Sequence, residues 1–148
     1  MKTFLLSFTR AASIAMLLLL AGFTHPSLAQ QKIKVLVITG GHGFQRQPFY
    51  NVFNAIPRIT YDTLSQPQAN ALLATRAVNQ YQVLVFYDLV DSLLPVQQQA
   101  YMNLLNKGKS MIFLHHSLVS YQNWPEFIKI VGGQYHTHPV VVNGDTTT

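Results

Sequence analysis

The chain has 148 residues, 49% of them hydrophobic, with ten Lys and Arg against five Asp and Glu, a formal charge of +5, and no cysteine. That length holds one domain, and the aromatic and aliphatic content is that of a chain with a core rather than a disordered one. The absence of cysteine excludes disulfides, thiolate zinc or iron–sulfur sites and a cysteine nucleophile.

Residues 1–29 read as a secretory signal peptide. Lys2 and Arg10 supply the positive start, residues 11–23 the apolar stretch centred on Leu17–Leu20, and Ser27-Leu28-Ala29 the small residues of a cleavage site. The apolar run is shorter than the roughly 18–20 residues of a spanning helix. Arg10 has no second arginine beside it, so general export is expected over an anchor or twin-arginine transport. The expected mature chain, residues 30–148, is then periplasmic or secreted, with no membrane attachment after cleavage. Losing Lys2 and Arg10 lowers the charge from +5 to +3. The remaining bases, from Lys32 to Lys129, are scattered and read as solvated surface charge, which argues against a nucleic-acid partner.

From residue 32 strands and helices alternate. Residues 32–39 (KIKVLVIT) form a short β-branched run ending at Gly40-Gly41, a buried strand. Residues 47–56 place Phe49, Val52, Phe53 and Ile56 on one helical face, with Pro48 near the start. Residues 58–64 (RITYDTL) alternate as a strand, and Pro67 opens a helix with Ala69, Leu72, Leu73 and Ala77 inward. Residues 82–87 (QVLVFY) make the third strand, stopped at Asp88. Pro95 opens a helix with Val96, Ala100, Tyr101, Leu104 and Leu105 on one face, ending at Lys107-Gly108. Residues 110–114 (SMIFL) are the fourth strand. Asn123 to Glu126 has the form of a capping box opening a helix that carries Phe127, Ile128 and Val131 and stops at Gly132-Gly133. Residues 143–148 read as an unstructured tail. This alternation predicts an α/β, flavodoxin-like three-layer sandwich around a parallel sheet of order 2-1-3-4.

In such sheets ligands bind beyond the carboxyl ends of the strands. Those ends carry Gly40-Gly41-His42-Gly43, Tyr87-Asp88 and His115-His116-Ser117. The glycines have neither GxGxxG nor P-loop spacing, so no nucleotide is expected. Two chemistries remain open. His115 and Asp88 could act as acid and base, or His42, His115, His136 or His138 with Asp88 could bind a divalent metal such as zinc. A Ser-His-Asp arrangement on Ser117 lacks the GxSxG elbow. Phe44, Tyr87, Tyr121 and Trp124 are the aromatic residues near the crevice that could stack on a sugar.

KVLVITGGHGF, YQVLVFYDL and GKSMIFLHHSLVSYQNWPEFIKIVGGQYHTHP together resemble the ThuA-like, trehalose utilisation family, from about Lys34 to Val142. The resemblance implies a class I glutamine amidotransferase-like fold, with His115-His116 standing where amidotransferases carry their cysteine. It implies a role in the metabolism of trehalose or related disaccharides. By position it sets His42, Asp88, His115, Trp124 and His138 along the pocket. Relatives continue beyond the equivalent of Thr148, so residues 30–148 are expected to be the N-terminal part of the domain, truncated before its last strands. The sequence-based expectation is thus an exported ThuA-like protein with a small-molecule carbohydrate ligand. Its catalytic candidates are His115, Asp88 and His42, its substrate contacts Gly40, Gly41, Tyr87, His116, Trp124 and His138, and its candidate metal ligands His42, His115 and His138. The alternatives are a non-catalytic sugar- or partner-binding domain, or a degenerate inactive fragment.

Overall fold

β1, Ile33–Gly40, is apolar on both faces: Val35, Leu36, Val37 and Ile38 are all buried, as the centre of a parallel sheet requires. The computed structural model describes residues 31–133 and 135–147; the signal peptide read at residues 1–29 lies outside them. β1 pairs in parallel with β2 (Ile59–Ser65) on one side and with β3 (Val83–Asp88) on the other, and β3 pairs with β4 (Ser110–Phe113). The order is β2-β1-β3-β4, as the strand–helix alternation predicts. No helix among the described residues is long and apolar enough to cross a membrane.

Pleating sends alternate side chains to opposite layers. Leu36, Ile38, Leu84 and Phe86 face the larger core, built with Ala69 and Leu73 of α2 (Gln68–Leu73), Tyr101 and Leu104 of α3 (Pro95–Asn106) and Phe127 of α4 (Pro125–Val131). Val35, Val37 and Val85 face the other way and meet Phe53 of α1 (Arg46–Asn54). The result is three layers, with one face of the sheet covered by a single helix. On the β4 side of that face Ile112 remains 48% exposed.

Several expected details differ. Of the face expected for α1, Phe49 and Phe53 turn inward together with Tyr50, whereas Val52, and Ile56 just beyond the helix, are exposed, because a nine-residue helix offers the sheet a narrow stripe. The helix opened at Pro67 stops at Leu73. Thr75 then accepts a hydrogen bond from the Ala77 amide and starts a 3₁₀ turn, Arg76–Gln80, that brings Val78 rather than Ala77 into the core. Val96 is exposed at the first turn of α3, where Pro95 occupies the first helical position. α4 is capped by Trp124, not Asn123, and its end is closed by Gly132 at φ 77°, the left-handed residue that helix ends favour. The tail expected to be unstructured pairs Val140–Val142 (β5) antiparallel with Asp145–Thr147 (β6). Asn143 and Gly144 between them both have positive φ, as the tight twist-matched hairpin turn requires.

One close approach fixes the turn after β1. Gly41 has φ +81°, and a Cβ there would lie 1.7 Å from the Leu89 carbonyl oxygen. Gly41→Ala is expected to lower stability by about 2 kcal/mol or more. Gly43→Ala, with open space around it, should stay within about 0.5 kcal/mol. Urea unfolding midpoints of the two variants check the contrast, and equal midpoints would refute it.

Candidate functional site

Register brings the strand ends together. Gly40 lies beside Asp88 and Thr39 beside Tyr87, and the Leu114 amide still donates to the Phe86 carbonyl 2.9 Å away. The chain then leaves β4 in a 3₁₀ turn, His115–Val119, whose first residue sits at φ 38°. Non-glycine residues rarely adopt that conformation, and where they do it marks strain worth a functional question.

This turn stacks the His116 ring on His42, with centroids 4.0 Å apart and planes 17° off parallel. Tyr87 stands edge-on to His42 at 4.6 Å and stacks on Phe49 behind it. His115 meets His116 edge-on at 4.4 Å. His115 and His116, with Leu118, Val119 and Tyr135, line a cavity of about 350 Å³. Of the expected site residues, the structure thus brings together His42, Tyr87, His115 and His116.

The rings of the stack differ in their partners. His42 sets Nδ1 3.2 Å from the Gly43 carbonyl and Nε2 3.2 Å from the Tyr87 carbonyl. Carbonyls only accept, so a neutral His42 donates one of these bonds and a cationic one both. His116 Nδ1 is buried without a hydrogen-bond partner among the described residues. Burial, followed by the neighbouring His42 and His115, lowers the His116 pKa below the ordinary histidine value. A neutral imidazole is the form a general base needs.

Asp88 is not the partner of His115. It is 1% exposed. Gln66 Nε2 donates to its Oδ2 at 2.7 Å, and the Ser117 hydroxyl donates to its Oδ1 at 2.8 Å. No hydrogen bond joins it to His115 among the described residues. Burial raises the Asp88 pKa, opposed first by the Gln66 and Ser117 hydrogen bonds and last by the charge of His42. Gln66 continues the network by donating to Asn70 Oδ1 at 3.1 Å. The Tyr101 hydroxyl donates to the same oxygen at 3.0 Å and lies 3.1 Å from the Tyr121 hydroxyl. Both phenols are pushed up by burial. This set lies under the crevice and holds its floor.

The remaining candidates lie elsewhere. Trp124 is 6% exposed and packs on Phe127 and Tyr101 in the larger core, so it presents no open face for a sugar. Gly40 and Gly41 serve the turn, their would-be Cβ atoms meeting Gln66 and Leu89. His138 lines a second cavity, of about 560 Å³, away from His42 and His115. Among the described residues no group of three or more His, Asp or Glu is placed to hold a metal ion, so His42, His115 and His138 do not form a ligand set. Sequence reasoning missed Gln66, although it directly follows β2 and the rule of strand ends points to it. It also missed Asn70 and Tyr101, which no local pattern marks as polar partners.

Residues 34–148 match the family model described as "ThuA: Trehalose utilisation". Two solved structures share the fold. A ThuA-like protein from Parabacteroides merdae ATCC 43184 has a TM-score of 0.59 at 19% identity, over 79% of this chain and 47% of that one. A ThuA-like protein from Bacteroides uniformis ATCC 8492 has a TM-score of 0.55 at 16% identity, over 75% of this chain and 48% of that one. At those identities the likeness is one of fold. The chain spans about half the length of these two structures. The sequence matches no curated protein.

Two outcomes are expected from this geometry. Gln66→Ala leaves Asp88 Oδ2 without its donor and should lower stability by about 1–3 kcal/mol in urea unfolding. The lowered His116 pKa means that its stabilising contribution is complete above the ordinary value of 6.5 and is lost as pH falls through the native value. Unfolding curves of wild type and His116→Gln, taken from pH 8 down to pH 5, should therefore converge or cross towards acid. A constant difference between the two would contradict the shift.

Proposed function

Because the chain belongs to the ThuA, trehalose utilisation, family, we propose that it acts on trehalose or a related disaccharide in the cavity beside His115 and His116. The observation that carries this reading is the stacking of His42 on His116, which with His115 lines a cavity of about 350 Å³. His116, disposed to be neutral, accepts a proton from a sugar hydroxyl or, in an oxidised sugar, from the carbon beside the carbonyl. His115, held on the same wall, is the second group in reach of the ligand. His42 fixes the plane of His116 by stacking, and its own orientation follows from the Gly43 and Tyr87 carbonyls. Asp88 holds the floor through Gln66 and Ser117 and takes no part in the proton transfer. The signal peptide read at residues 1–29 makes this an exported activity, which the N-terminal sequence of the purified protein would test.

A second reading, a sugar-binding domain without chemistry, is favoured by one feature. The only carboxylate at the ends of the four parallel strands, Asp88, is sealed from the cavity, whereas sugar hydrolysis ordinarily uses two accessible carboxylates. Product analysis after incubation with trehalose separates the two. Turnover by the wild type, with His116→Gln reducing it by about 10²–10⁴-fold at unchanged fold, supports catalysis. Trehalose binding without product places the protein in the second class, and His116→Gln turning over at the wild-type rate rejects this site.

A further inference from the structure

Residues 135–138 lie between two cavities, and their side chains are divided between them. Tyr135, 65% exposed, lines the cavity with His115 and His116. His136, Thr137 and His138 line the neighbouring one with Asp91, Gln122 and Asn123. The wall is pinned at its near end. The Tyr135 amide donates to the Leu118 carbonyl at 3.3 Å. Gln122 Nε2 donates to both the Val119 carbonyl, at 2.8 Å, and the Tyr135 carbonyl, at 3.0 Å. One glutamine on the second cavity therefore ties together two residues that line the first.

The second cavity measures about 560 Å³, within the range of roughly 300–1,000 Å³ that holds small ligands. Among the described residues, none of the side-chain polar groups of Asp91, Asn123, His136, Thr137 or His138 is hydrogen-bonded or ion-paired within the protein. Two imidazoles near a carboxylate would invite a cation, but they are not disposed to hold one. The cavity instead offers a carboxylate that accepts, an amide and a hydroxyl that do both, and imidazoles that do either. Vicinal hydroxyls, each at once donor and acceptor, call for such a mixture.

We propose that this cavity, lined by Asp91, Asn123, His136, Thr137 and His138, is a second sugar subsite that holds the ring of a disaccharide remote from His115 and His116, with exposed Tyr135 as the apolar face between the two rings. The assignment rests on the disaccharide reading above. A bound disaccharide spans the wall, with one ring over the imidazole pair and the other among the free polar groups. Asp91→Asn combined with His136→Ala weakens the remote ring's contacts alone.

Calorimetric titration of the full chain with trehalose and with glucose tests the assignment, with unfolding midpoints confirming that the variant is folded. The double variant should lose at least about 10-fold in trehalose affinity, one lost charged hydrogen bond being worth that much, while its glucose affinity stays within twofold of wild type. Thr137→Val, which removes one hydroxyl without a charge, should follow in the same direction with a smaller loss. Unchanged trehalose affinity in both variants, or an equal loss for both sugars, overturns the subsite and leaves the His116 site standing. A wild type that binds neither sugar overturns the disaccharide reading itself and the subsite with it.

Discussion

Burying a carboxylate at the end of β3 is the demanding step on which the strand-end geometry rests. An ionisable group sealed to 1% exposure needs donors on its oxygens, because desolvation without them costs several kcal/mol. Asp88 finds one donor on Gln66, beyond β2, and another on Ser117, beyond β4. Its own amide donates to the Ser117 hydroxyl at 3.1 Å. The ends of three strands are thereby held by one side chain. The turn that orients His115 and His116 has Ser117 at its middle, so the imidazole pair inherits its position from the satisfaction of Asp88. From Gln66 the same polar chain runs through Asn70 to Tyr101 and Tyr121. It links the crevice floor to α2 and α3 and adds geometric definition to a core that is otherwise apolar.

The two faces of the sheet do different work. The larger core packs α2, α3 and α4 against Leu36, Ile38, Leu84 and Phe86 and places the polar floor beneath the strand ends. The smaller face carries α1, and its aromatic side chains run from Phe53 through Phe49 and Tyr87 to His42. Ring contacts of this kind prefer offset or edge-on geometry, so the plane of His42 is set partly by a file of rings that starts in the core. His116 then takes its plane from His42. The stacked imidazole pair is positioned from above by aromatic packing and from below by a hydrogen-bonded carboxylate.

Much of this was legible in the residues. Continuous apolar runs such as VLVI and VLVF mark strands buried on both faces, and the helices between them leave 2-1-3-4 as the simplest right-handed order. The histidines after the first and fourth strands pointed to the crevice for the same reason. What was not legible depended on distance in sequence. Asp88 reads as a catalytic carboxylate beside His115. Only the folded chain shows Gln66, 22 residues before it, and Ser117, 29 residues after it, already holding its oxygens. Trp124 reads as a sugar platform until Tyr101 and Phe127 are seen to enclose it. The β5–β6 hairpin was available locally, since Asn143-Gly144 between a valine run and a threonine run is a strong turn signal. The mixed polar composition of the tail masked it. His115 and His138 line separate cavities, with Tyr135 on the first and His136 already on the second, and nothing in their spacing announces that division.

The central position of β1 also has a consequence in time. It is the first of the four parallel strands to be made, yet its second neighbour, β3, ends at Asp88, 48 positions after Gly40 in the numbering of the register. At a synthesis rate of about 5–20 residues per second, an apolar strand destined for burial on both sides waits roughly 2–10 s for that partner. Pairing with β2 can come sooner, but it covers one edge only and leaves Val35, Val37, Leu36 and Ile38 without the layers that enclose them. The strand that ends up best protected in the folded protein is therefore the longest exposed while the chain is being made.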